Sequence, residues 1–414
     1  MFFMYYSRRI TNEIVNNLKT FPVVFVNGAR QTGKSTLVEH LLTKQYSSDY
    51  ISLDDLSNLS AAAKDPVNFI NNLQIPVTID EIQRIPELFF PIKKFVDTEK
   101  KNGMFVLTGS ANILTIPKIS DSLAGRMIIH ALWPLSQGEI HKQKENFIDL
   151  LFSEKSFSSP KNKLTFEELN AMLLTGGYPR LLGITDTKER AKWFNSYIDA
   201  ILQRDVRELA NIEKITELPH LLNIIAGRAA SLSNIADLGR VLKISYTTLK
   251  RYYALLKMIF FVVELPPWST NREKTLIKTP KVFLNDSGLL CHLLRYDDTT
   301  FIADRSKLGP VLENFVFMEL KKQISWSDNQ PGIYHFRTQA GREVDVVLEG
   351  KNKKIVGIEV KAAASVNAND FNGLEKLKEI AGEKFTRGIV IYLGEKVISF
   401  GKNFFAVPLQ MLWG

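Results

Sequence analysis

Two stretches of this sequence combine polar residues at spacings that suit chemistry on phosphate esters. The first reads NGARQTGKST at residues 27–36, and the second reads EVDVVLEGKNKKIVGIEVK at residues 343–361. The first predicts a site for a nucleoside triphosphate, and the second raises the question whether the chain cleaves nucleic acid. One chain carries both, so a single account of function must include both.

The first stretch lies between an apolar, β-branched run and an amphipathic helix pattern. It fits GxxxxGK[ST] with Gly28, Gly33, Lys34 and Ser35. Such glycines let backbone N–H groups curl around a phosphate at the positive end of a helix dipole. Lys34 would reach the β- and γ-phosphates, and Ser35 would ligate Mg²⁺. The predicted ATP-binding residues of this loop are Gly28, Ala29, Arg30, Gln31, Thr32, Gly33, Lys34, Ser35 and Thr36.

The run IPVTIDEIQRI at residues 75–85 supplies the second half of that site. It predicts a strand ending in Asp80, which would hold Mg²⁺, and Glu81, which would polarise the attacking water as a general base. A further predicted strand ends in polar residues that either sense the γ-phosphate or form an ordinary loop: Thr108, Ser110 and Asn112. Alternating strands and helices predict a parallel sheet with ligands at the carboxyl ends of its strands.

The second stretch predicts a β-hairpin, because two strand-like runs flank the polar turn GKNKK. Side-chain alternation puts Glu343 and Asp345 on one face of the first strand. It likewise puts Glu359 and Lys361 on one face of the second. Carboxylates gathered at one edge suit Mg²⁺ or Mn²⁺, and the lysine suits activation of water for phosphodiester cleavage. The alternative is a solvated face with cross-strand ion pairs.

The middle of the chain predicts a DNA-contacting fold. Residues 231–258 read as two short helices with a tight turn at 243–245, and Ser245 is a good N-cap for the second helix. Lys250 and Arg251 would face outward, and the following run IFFVVELPPW would add a strand and a wing. Such a winged helix binds DNA or serves as a lid or protein-docking module.

Composition sets the broad class of the protein. The chain has 414 residues, 45% of them hydrophobic and 23% charged, which predicts several globular domains. Its net charge is +9, and the excess lies in residues 141–280, with 21 Lys and Arg against 15 Asp and Glu. That excess favours a polyanion partner or is simply a solvated surface. We expect a cytoplasmic protein without membrane contact, and the single Cys291 excludes an internal disulfide.

Four further motifs follow the P-loop sequence: SLAGR at 122–126, WPLSQGE at 133–139, TGGYP at 175–179 and ILQRDVREL at 201–209. In this arrangement the chain resembles the large bacterial and archaeal family of AAA-related ATPases that carry a C-terminal domain of unknown function. The resemblance runs along nearly the whole chain. It implies a helical lid whose Gly-x-Pro motif touches adenine, matched by Gly177, Tyr178 and Pro179. The alternative for that motif is a plain turn before a helix.

An arginine that neutralises charge in the transition state is also expected in such an ATPase. The foremost position is Arg126, and Arg204 and Arg207 are the others. Each acts in cis, acts from a neighbouring subunit, or belongs to a surface ion pair. Only an arginine acting in trans would require self-association.

The C-terminal hairpin resembles the restriction-endonuclease-like fold, with Asp345 as its first acidic residue and Glu359, Val360 and Lys361 as its ExK. The resemblance implies a further glutamate on the preceding helix, and Glu313 in GPVLENFVFMELKK is the match. Arg337 and Gln339 would contact phosphate or the metal's surroundings. The predicted metal ligands of the chain are Ser35 and Asp80 at the ATP site, and Glu313, Asp345 and Glu359 at this one.

We therefore predict an α/β, multidomain chain. Its parts are an ATPase core at residues 1–140, a helical lid at 141–230, a winged helix at 231–300 and a restriction-endonuclease-like domain at 301–414. We expect an ATP-hydrolysing enzyme that acts on DNA. Its ATP hydrolysis would be coupled to metal-dependent phosphodiester cleavage by the C-terminal domain. The alternative is a nucleotide-gated switch whose C-terminal domain is a catalytically silent docking module. The predicted catalytic residues are Lys34, Glu81, Arg126, Asp345, Glu359 and Lys361.

Overall fold

The computed structural model describes residues 5–111, 123–160, 162–205, 217–233, 238–239, 242, 244–269 and 279–414, with only the backbone at 42–43 and 204–205. Several sequence predictions lie outside the described residues: Asn112, Arg207, Lys243, the side chain of Arg204 and most of the first helix of the helix-turn-helix. The chain divides into two units. The first comprises Met1–Leu135, Gln203–Ile212 and Ala254–Phe261, and the second comprises Ser136–Leu202, Glu213–Tyr253 and Val262–Gly414.

The first unit is built on a five-stranded parallel sheet with the order β2-β3-β4-β1-β5. Strand β1 is buried along its whole length, as expected for a strand covered on both faces. In chain order the elements are α1 (Thr11–Leu18), β1 (Val23–Asn27), α2 (Lys34–Lys44), β2 (Asp49–Ser52), α3 (Leu56–Lys64), α4 (Pro66–Asn71), β3 (Val77–Asp80), α5 (Phe89–Glu99), β4 (Phe105–Gly109) and β5 (Met127–Ala131).

The parallel register brings the ends of β3 and β4 side by side. Ile79 lies opposite Leu107, so Asp80 and Thr108 follow at the carboxyl ends of neighbouring strands. Strand β1 lies on the other side of β4 and leads into the glycine-bracketed loop. The predicted catalytic elements of the ATPase therefore share one edge of one sheet.

The middle of the second unit combines helices with a small antiparallel sheet of order β6-β8-β7. Ser245 caps helix α11 through its hydroxyl, which accepts the N–H of Thr248 at 3.2 Å, as predicted. The elements are α6 (Gln137–His141), α7 (Phe147–Phe152), α8 (Phe166–Thr175), α9 (Thr187–Ala200), α10 (Glu217–Ala226), β6 (Ser231–Leu232), α11 (Tyr246–Met258), β7 (Val262–Leu265), β8 (Lys281–Leu284), α12 (Ser287–Leu293) and α13 (Thr300–Ala303). The part of α11 from Ala254 onward is assigned to the first unit.

The C-terminal part of the same unit is a six-stranded mixed sheet of order β13-β14-β12-β11-β10-β9. The predicted hairpin is present, because β10 and β11 pair antiparallel with Val346 opposite Ile358. The elements are α14 (Leu308–Ile324), β9 (Gly332–Arg337), β10 (Glu343–Glu349), β11 (Ile355–Lys361), α15 (Asn372–Ala381), β12 (Phe385–Tyr392), β13 (Ile398–Ser399) and β14 (Phe404–Pro408).

These sheets confirm a multidomain α/β protein with a parallel-sheet core and a further, strand-rich C-terminal domain. The helical lid, the winged helix, the restriction-endonuclease-like fold and the four domain boundaries stay predictions. Within the described part of the chain, no helix is long and apolar enough to cross a membrane.

The motif WPLSQGE begins a network of buried carboxylates in the second unit. Ser136 caps α6, and its hydroxyl also donates to Glu145 Oε2 at 2.7 Å. Glu145 Oε1 accepts the backbone N–H of Gly138 at 3.1 Å. A Cβ at Gly138 would lie 2.2 Å from the Glu145 carboxyl carbon, so a larger residue would disrupt this contact.

The same network reaches the long helix α14. Glu319, which is fully buried there, accepts the backbone N–H of Gln137 at 2.9 Å and pairs with Lys322 at 2.7 Å. Burial, followed by the nearby charge of Glu319, raises the pKa of Glu145 to about 8. The motif therefore anchors the start of the second unit, and Glu145 is held protonated at neutral pH.

Glu145→Gln should remove a pH dependence of stability. The pKa of Glu145 rises from 4.5 when solvated to about 8 in the folded chain. The contribution of the protonated carboxyl to stability is therefore complete below about pH 4.5 and is lost as the pH rises through about 8. We expect the free energy of unfolding of the wild type to fall relative to that of Glu145→Gln across this window, by at most about 1.4 kcal/mol per pH unit.

Urea unfolding at several pH values between about 5 and 9 measures the effect. The exposed Glu154 offers a matched control, since Glu154→Gln should follow the wild type at every pH. A constant difference between Glu145→Gln and the wild type across the window would contradict this assignment.

Candidate functional site

The loop between β1 and α2 has the backbone shape that a phosphate-binding loop requires. A Cβ at Gly28 would lie 2.3 Å from the carbonyl oxygen of Leu132, so only glycine fits. Gly33 has φ +89° and precedes the first residue of α2, a conformation that favours glycine. Lys34 Nζ donates to the carbonyls of Gly28 and Ala29 at 3.0 and 2.9 Å, so its ammonium lies over the loop.

The other predicted loop residues surround this turn. Thr32 is buried and donates to the carbonyl of Ala29 at 2.9 Å, whereas Gln31 and Thr36 are exposed and Arg30 is half-buried. Ser35 is also half-buried, and its hydroxyl points toward β3. The loop residues therefore divide into those that shape the turn and those that face solvent, where a nucleotide would enter.

A buried arginine that the sequence interpretation missed holds this loop in place. Arg8 donates to the carbonyl of Thr32 at 2.8 Å and to that of Trp133 at 2.6 Å. These bonds tie the phosphate-binding loop to the chain segment after β5. No local signal marks Arg8, because its partners lie 24 and 125 residues away.

Hydroxyl groups surround the carboxylate of Asp80. The hydroxyls of Ser35 and Tyr50 donate to its Oδ2 at 3.0 and 2.8 Å, and that of Thr108 donates to its Oδ1. Burial, followed by the hydrogen bond to Asp80, raises the pKa of Tyr50. Ser35 and Asp80 are thus adjacent, as two Mg²⁺-binding oxygen ligands of a nucleotide site must be, and the residues present fit that cation. The sequence interpretation missed Tyr50, which lies on the neighbouring strand β2.

Glu81 is held at the end of β3 in a conformation that is rare for residues other than glycine. Its φ is +60°, and its backbone N–H donates to the hydroxyl of Thr108 at 3.1 Å. Left-handed backbone costs about 1 kcal/mol or more, and such strain is concentrated at functional sites. The geometry therefore sets Glu81 apart from an ordinary strand end.

Gln83 connects Glu81 to the end of β4. Its amide nitrogen donates to the Glu81 carboxylate and to the Ser110 hydroxyl, the latter at 2.9 Å. Its amide oxygen accepts the backbone N–H of Ser110 at 3.2 Å. A residue that the sequence interpretation missed thus joins the predicted general base to a predicted γ-phosphate sensor.

Two other predicted ATPase features have structural partners of their own. Arg126 pairs with Asp97 of α5 on the surface of the first unit. In this conformation it therefore forms a surface ion pair, one of the roles considered for it above. Tyr178 is completely buried, with its hydroxyl 2.9 Å from that of Tyr197. Pro179 beside it is half-buried. The arginine-finger role of Arg126 and the adenine contact of Pro179 stay predictions.

The C-terminal carboxylates gather around a lysine from the small sheet. Lys281 Nζ lies 2.8 Å from Glu313 Oε1, 2.7 Å from Glu343 Oε1 and 3.0 Å from Asp345 Oδ1. The Lys281 side chain is only 3% exposed. We call this group, with Glu359, the carboxylate pocket. Four elements build it, since Lys281 begins β8, Glu313 lies on α14, Glu343 and Asp345 lie on β10, and Glu359 lies on β11.

The remaining predicted residues of this pocket are arranged around Asp345. Its Oδ2 accepts the backbone N–H of Val360 at 3.0 Å, and its carboxylate hydrogen-bonds to that of Glu359. Burial, followed by the charge of Asp345, raises the pKa of Glu359 and raises that of Glu313 to about 8. Glu359 and Glu313 therefore bind protons more readily, which lowers the excess negative charge of the carboxylate pocket. Lys361 pairs instead with Asp370 at 3.2 Å.

The predicted Mg²⁺ or Mn²⁺ at this pocket is not supported in the present conformation. Among the described residues, no group of three or more His, Cys, Asp or Glu side chains is arranged to hold a metal ion. The ammonium of Lys281 lies among the oxygens that would be the ligands. Sequence reasoning missed Lys281, because a single lysine before an apolar run carries no signal of its distant partners.

The chain matches three family models. An AAA domain matches residues 20–141, the domain of unknown function DUF8612 matches residues 166–300, and the domain of unknown function DUF4143 matches residues 308–412. An uncharacterized protein of Mycobacterium tuberculosis is 28% identical over 393 residues, which cover 94% of this chain and 81% of the relative. An uncharacterized protein of Mycobacterium bovis matches with the same figures.

Solved structures with similarity to the chain include the Walker-type ATPase PABY2304 of Pyrococcus abyssi. It has 17% identity and a TM-score of 0.44, with 70% of this chain and 96% of that one covered. RuvB of Thermotoga maritima has 19% identity and a TM-score of 0.28, with 62% and 87% covered. The AAA-domain match over residues 20–141 and the loop geometry support an AAA-type P-loop ATPase core, which implies a nucleotide and typically Mg²⁺. The match of the C-terminal domain leaves its function open.

Gln83→Ala should slow ATP hydrolysis while leaving nucleotide affinity nearly unchanged. The Gln83 amide contacts the Glu81 carboxylate and the Ser110 hydroxyl, so its loss should misplace the general base. We expect kcat to fall about tenfold to a hundredfold with little change in KM. Phosphate-release kinetics and binding of a fluorescent ATP analogue measure the two quantities.

The exposed Gln74 of the same unit provides the matched control, and Gln74→Ala should behave as the wild type. In a Glu81→Gln background, Gln83→Ala should have no further effect, because both changes act through one carboxylate. Independent, multiplicative losses in the double variant would contradict the proposed coupling.

Proposed function

We propose that this protein is an ATP-hydrolysing switch in which nucleotide turnover at the P-loop core controls the binding of a DNA partner. One observation carries the proposal. The hydroxyls of Ser35 and Thr108 donate to Asp80, and Glu81 follows directly in a strained conformation. A hydroxyl ligand, a Mg²⁺-binding carboxylate and a general base are thereby gathered at one sheet edge, as hydrolysis of a phosphoanhydride requires.

Each residue then has a definite part in the reaction. The N–H groups of the P-loop and the ammonium of Lys34 bind the β- and γ-phosphates. Glu81 accepts a proton from the water that attacks the γ-phosphorus, while the bond to the β–γ bridging oxygen breaks and ADP leaves. Ser35 and Asp80 would hold Mg²⁺, which would supply positive charge beside the phosphates. Gln83 fixes the direction of the Glu81 carboxylate.

DNA is the partner that we propose for the switch. Helix α11 buries Leu249 and Leu256 and exposes Lys250 and Arg251. Two exposed cations on a capped helix suit contact with a phosphate backbone, which would make binding weaker as salt increases. The positive excess of residues 141–280 supports the same partner.

Metal-dependent phosphodiester cleavage by the C-terminal domain is the second candidate function. Its support is the convergence of Glu313, Asp345 and Glu359, which come from three different elements. These three carboxylates, with Lys361 on the same strand as Glu359, suit the binding of Mg²⁺ or Mn²⁺ and the activation of a water molecule. It ranks second because Lys281 lies among these oxygens and Lys361 pairs with Asp370.

Self-association and a cytoplasmic location complete the proposal. Arg126 contacts Asp97 of its own unit, so an arginine supplied by a neighbouring subunit would have to leave such a pair or be another residue. ATP-dependent assembly, measured by sedimentation velocity, would accompany an arginine that acts in trans.

Lys34→Ala should abolish ATP turnover, and Lys361→Ala should leave it intact. The first substitution removes the ammonium from the P-loop, whereas the second removes a partner of Asp370 in the C-terminal domain. We expect phosphate release to fall at least about a hundredfold for Lys34→Ala. The same variants, incubated with labelled single-stranded, duplex and branched DNA with Mg²⁺ or Mn²⁺, test cleavage in parallel.

Three outcomes separate the functions. ATP turnover by the wild type that DNA stimulates, without cleavage, supports the switch. Cleavage that disappears in Lys361→Ala supports the second candidate instead. Absence of ATP turnover in folded wild-type protein would overturn the proposal.

A further inference from the structure

The ammonium of Lys281 is a feature of the carboxylate pocket that the family resemblance did not suggest. Lys281 belongs to the segment matched by DUF8612, whereas its acidic partners belong to the segment matched by DUF4143. Its Nζ approaches three carboxylates within 3.0 Å, and its side chain is almost completely buried. A lysine is therefore built into the pocket by another part of the fold.

The carboxylates hold the buried ammonium of Lys281 strongly, and the charge of that ammonium excludes a second cation from the pocket. Removing an ammonium from water costs several kcal/mol, so a lysine becomes buried only where carboxylates compensate its charge. The same oxygens would have to leave the lysine to bind a metal ion, because a cation in the pocket would lie within a few ångströms of the ammonium and be repelled by it. Lys281 and a divalent cation consequently compete for one place.

We propose that Lys281 is an internal cation that closes the carboxylate pocket, an autoinhibitory contact between the small sheet and the C-terminal domain. The pocket accepts Mg²⁺ or Mn²⁺ only after this ammonium withdraws. In the conformation described above, the C-terminal domain is silent because its ligands are already bound to a lysine of the same chain.

The backbone around Lys281 indicates which movement would open the pocket. Lys281 pairs with Leu232 on one side and Leu265 on the other, so its backbone is fixed within the three-stranded sheet. Three residues after the end of β7, Trp268 donates its backbone N–H to the carbonyl of His335 on β9 at 2.6 Å. Withdrawal therefore requires the side chain to rotate or the small sheet to separate from β9 as a body.

Metal binding to the nucleotide-free protein tests the proposal independently of ATP turnover. The experiment titrates Mn²⁺ into wild type and Lys281→Ala by electron paramagnetic resonance and measures thermal unfolding in EDTA and in Mn²⁺. Lys281→Ala should unfold at lower temperature in EDTA, because its carboxylates then lack a counter-charge. Mn²⁺ should restore its stability and bind at least about tenfold more tightly than to the wild type.

Two further variants locate the effect. Lys281→Ala combined with Asp345→Asn should lose the gained Mn²⁺ binding, because the central ligand is removed. Lys322→Ala removes another buried lysine from a glutamate, Glu319, at a distinct carboxylate cluster, and it should lose stability without rescue by Mn²⁺. Should Lys281→Ala fail to fold in EDTA, refolding it with Glu343→Gln, which lowers the repulsion, provides the same comparison.

Mn²⁺ binding that appears in Lys281→Ala and depends on Asp345 supports the proposal. Equal Mn²⁺ affinity of wild type and Lys281→Ala would overturn it, because the lysine would then not compete with the metal. Folded Lys281→Ala that binds no Mn²⁺ would also overturn it and leave Lys281 as a structural ion pair. None of these results depends on ATP hydrolysis, so failure of the switch proposal would be seen separately.

Discussion

Buried carboxylates need compensation, and the way in which each cluster obtains it determines what this protein can do. Three examples lie in the described part of the chain, at Asp80, at Glu145 with Glu319, and at Asp345. Hydroxyl groups donate hydrogen bonds to Asp80. Backbone N–H groups and Lys322 compensate Glu145 and Glu319, and Lys281 forms ion pairs around Asp345. An uncompensated carboxylate in any of them would cost several kcal/mol, which is comparable with the stability of a whole domain.

The difference between hydroxyls and an ammonium separates the two chemical sites. Ser35 can turn its oxygen from Asp80 to a cation without leaving a charge behind, so the ATP site remains open to Mg²⁺. Lys281 cannot change from donor to ligand, and its charge excludes another cation. An aspartate on a strand is thus open to a cation in the first unit, at Asp80, and already paired with an ammonium in the second, at Asp345.

The local parts of both sites could be predicted from sequence, since strand β1, the glycine loop and helix α2 are consecutive, and so are the two strands of the hairpin. Side-chain alternation correctly brought Glu343 and Asp345 to one face, where both contact Lys281. The residues that decide the state of each site could not be predicted. Arg8, Tyr50 and Lys281 meet their partners across 24 to 125 residues, and no sequence periodicity encodes such contacts.

Gln83 was missed for a different reason. It lies two residues after Glu81, where a strand pattern has already ended, and only its hydrogen bonds to β4 distinguish it from a solvated glutamine. For the predicted arginine finger, the sequence motif suggested a catalytic role that the observed contact does not require. Arg126 stands in a suggestive motif, yet its contact with Asp97 gives it an ordinary structural partner.

Anomalous diffraction would show which cation lies among Glu313, Glu343 and Asp345. Crystals of the wild type and of Lys281→Ala, grown in the same concentration of MnCl₂, would be measured on both sides of the manganese absorption edge. We expect an anomalous peak beside Asp345 in the variant only, with the Lys281 ammonium in that place in the wild type. A manganese peak there in the wild type, with Lys281 turned away, would contradict this expectation.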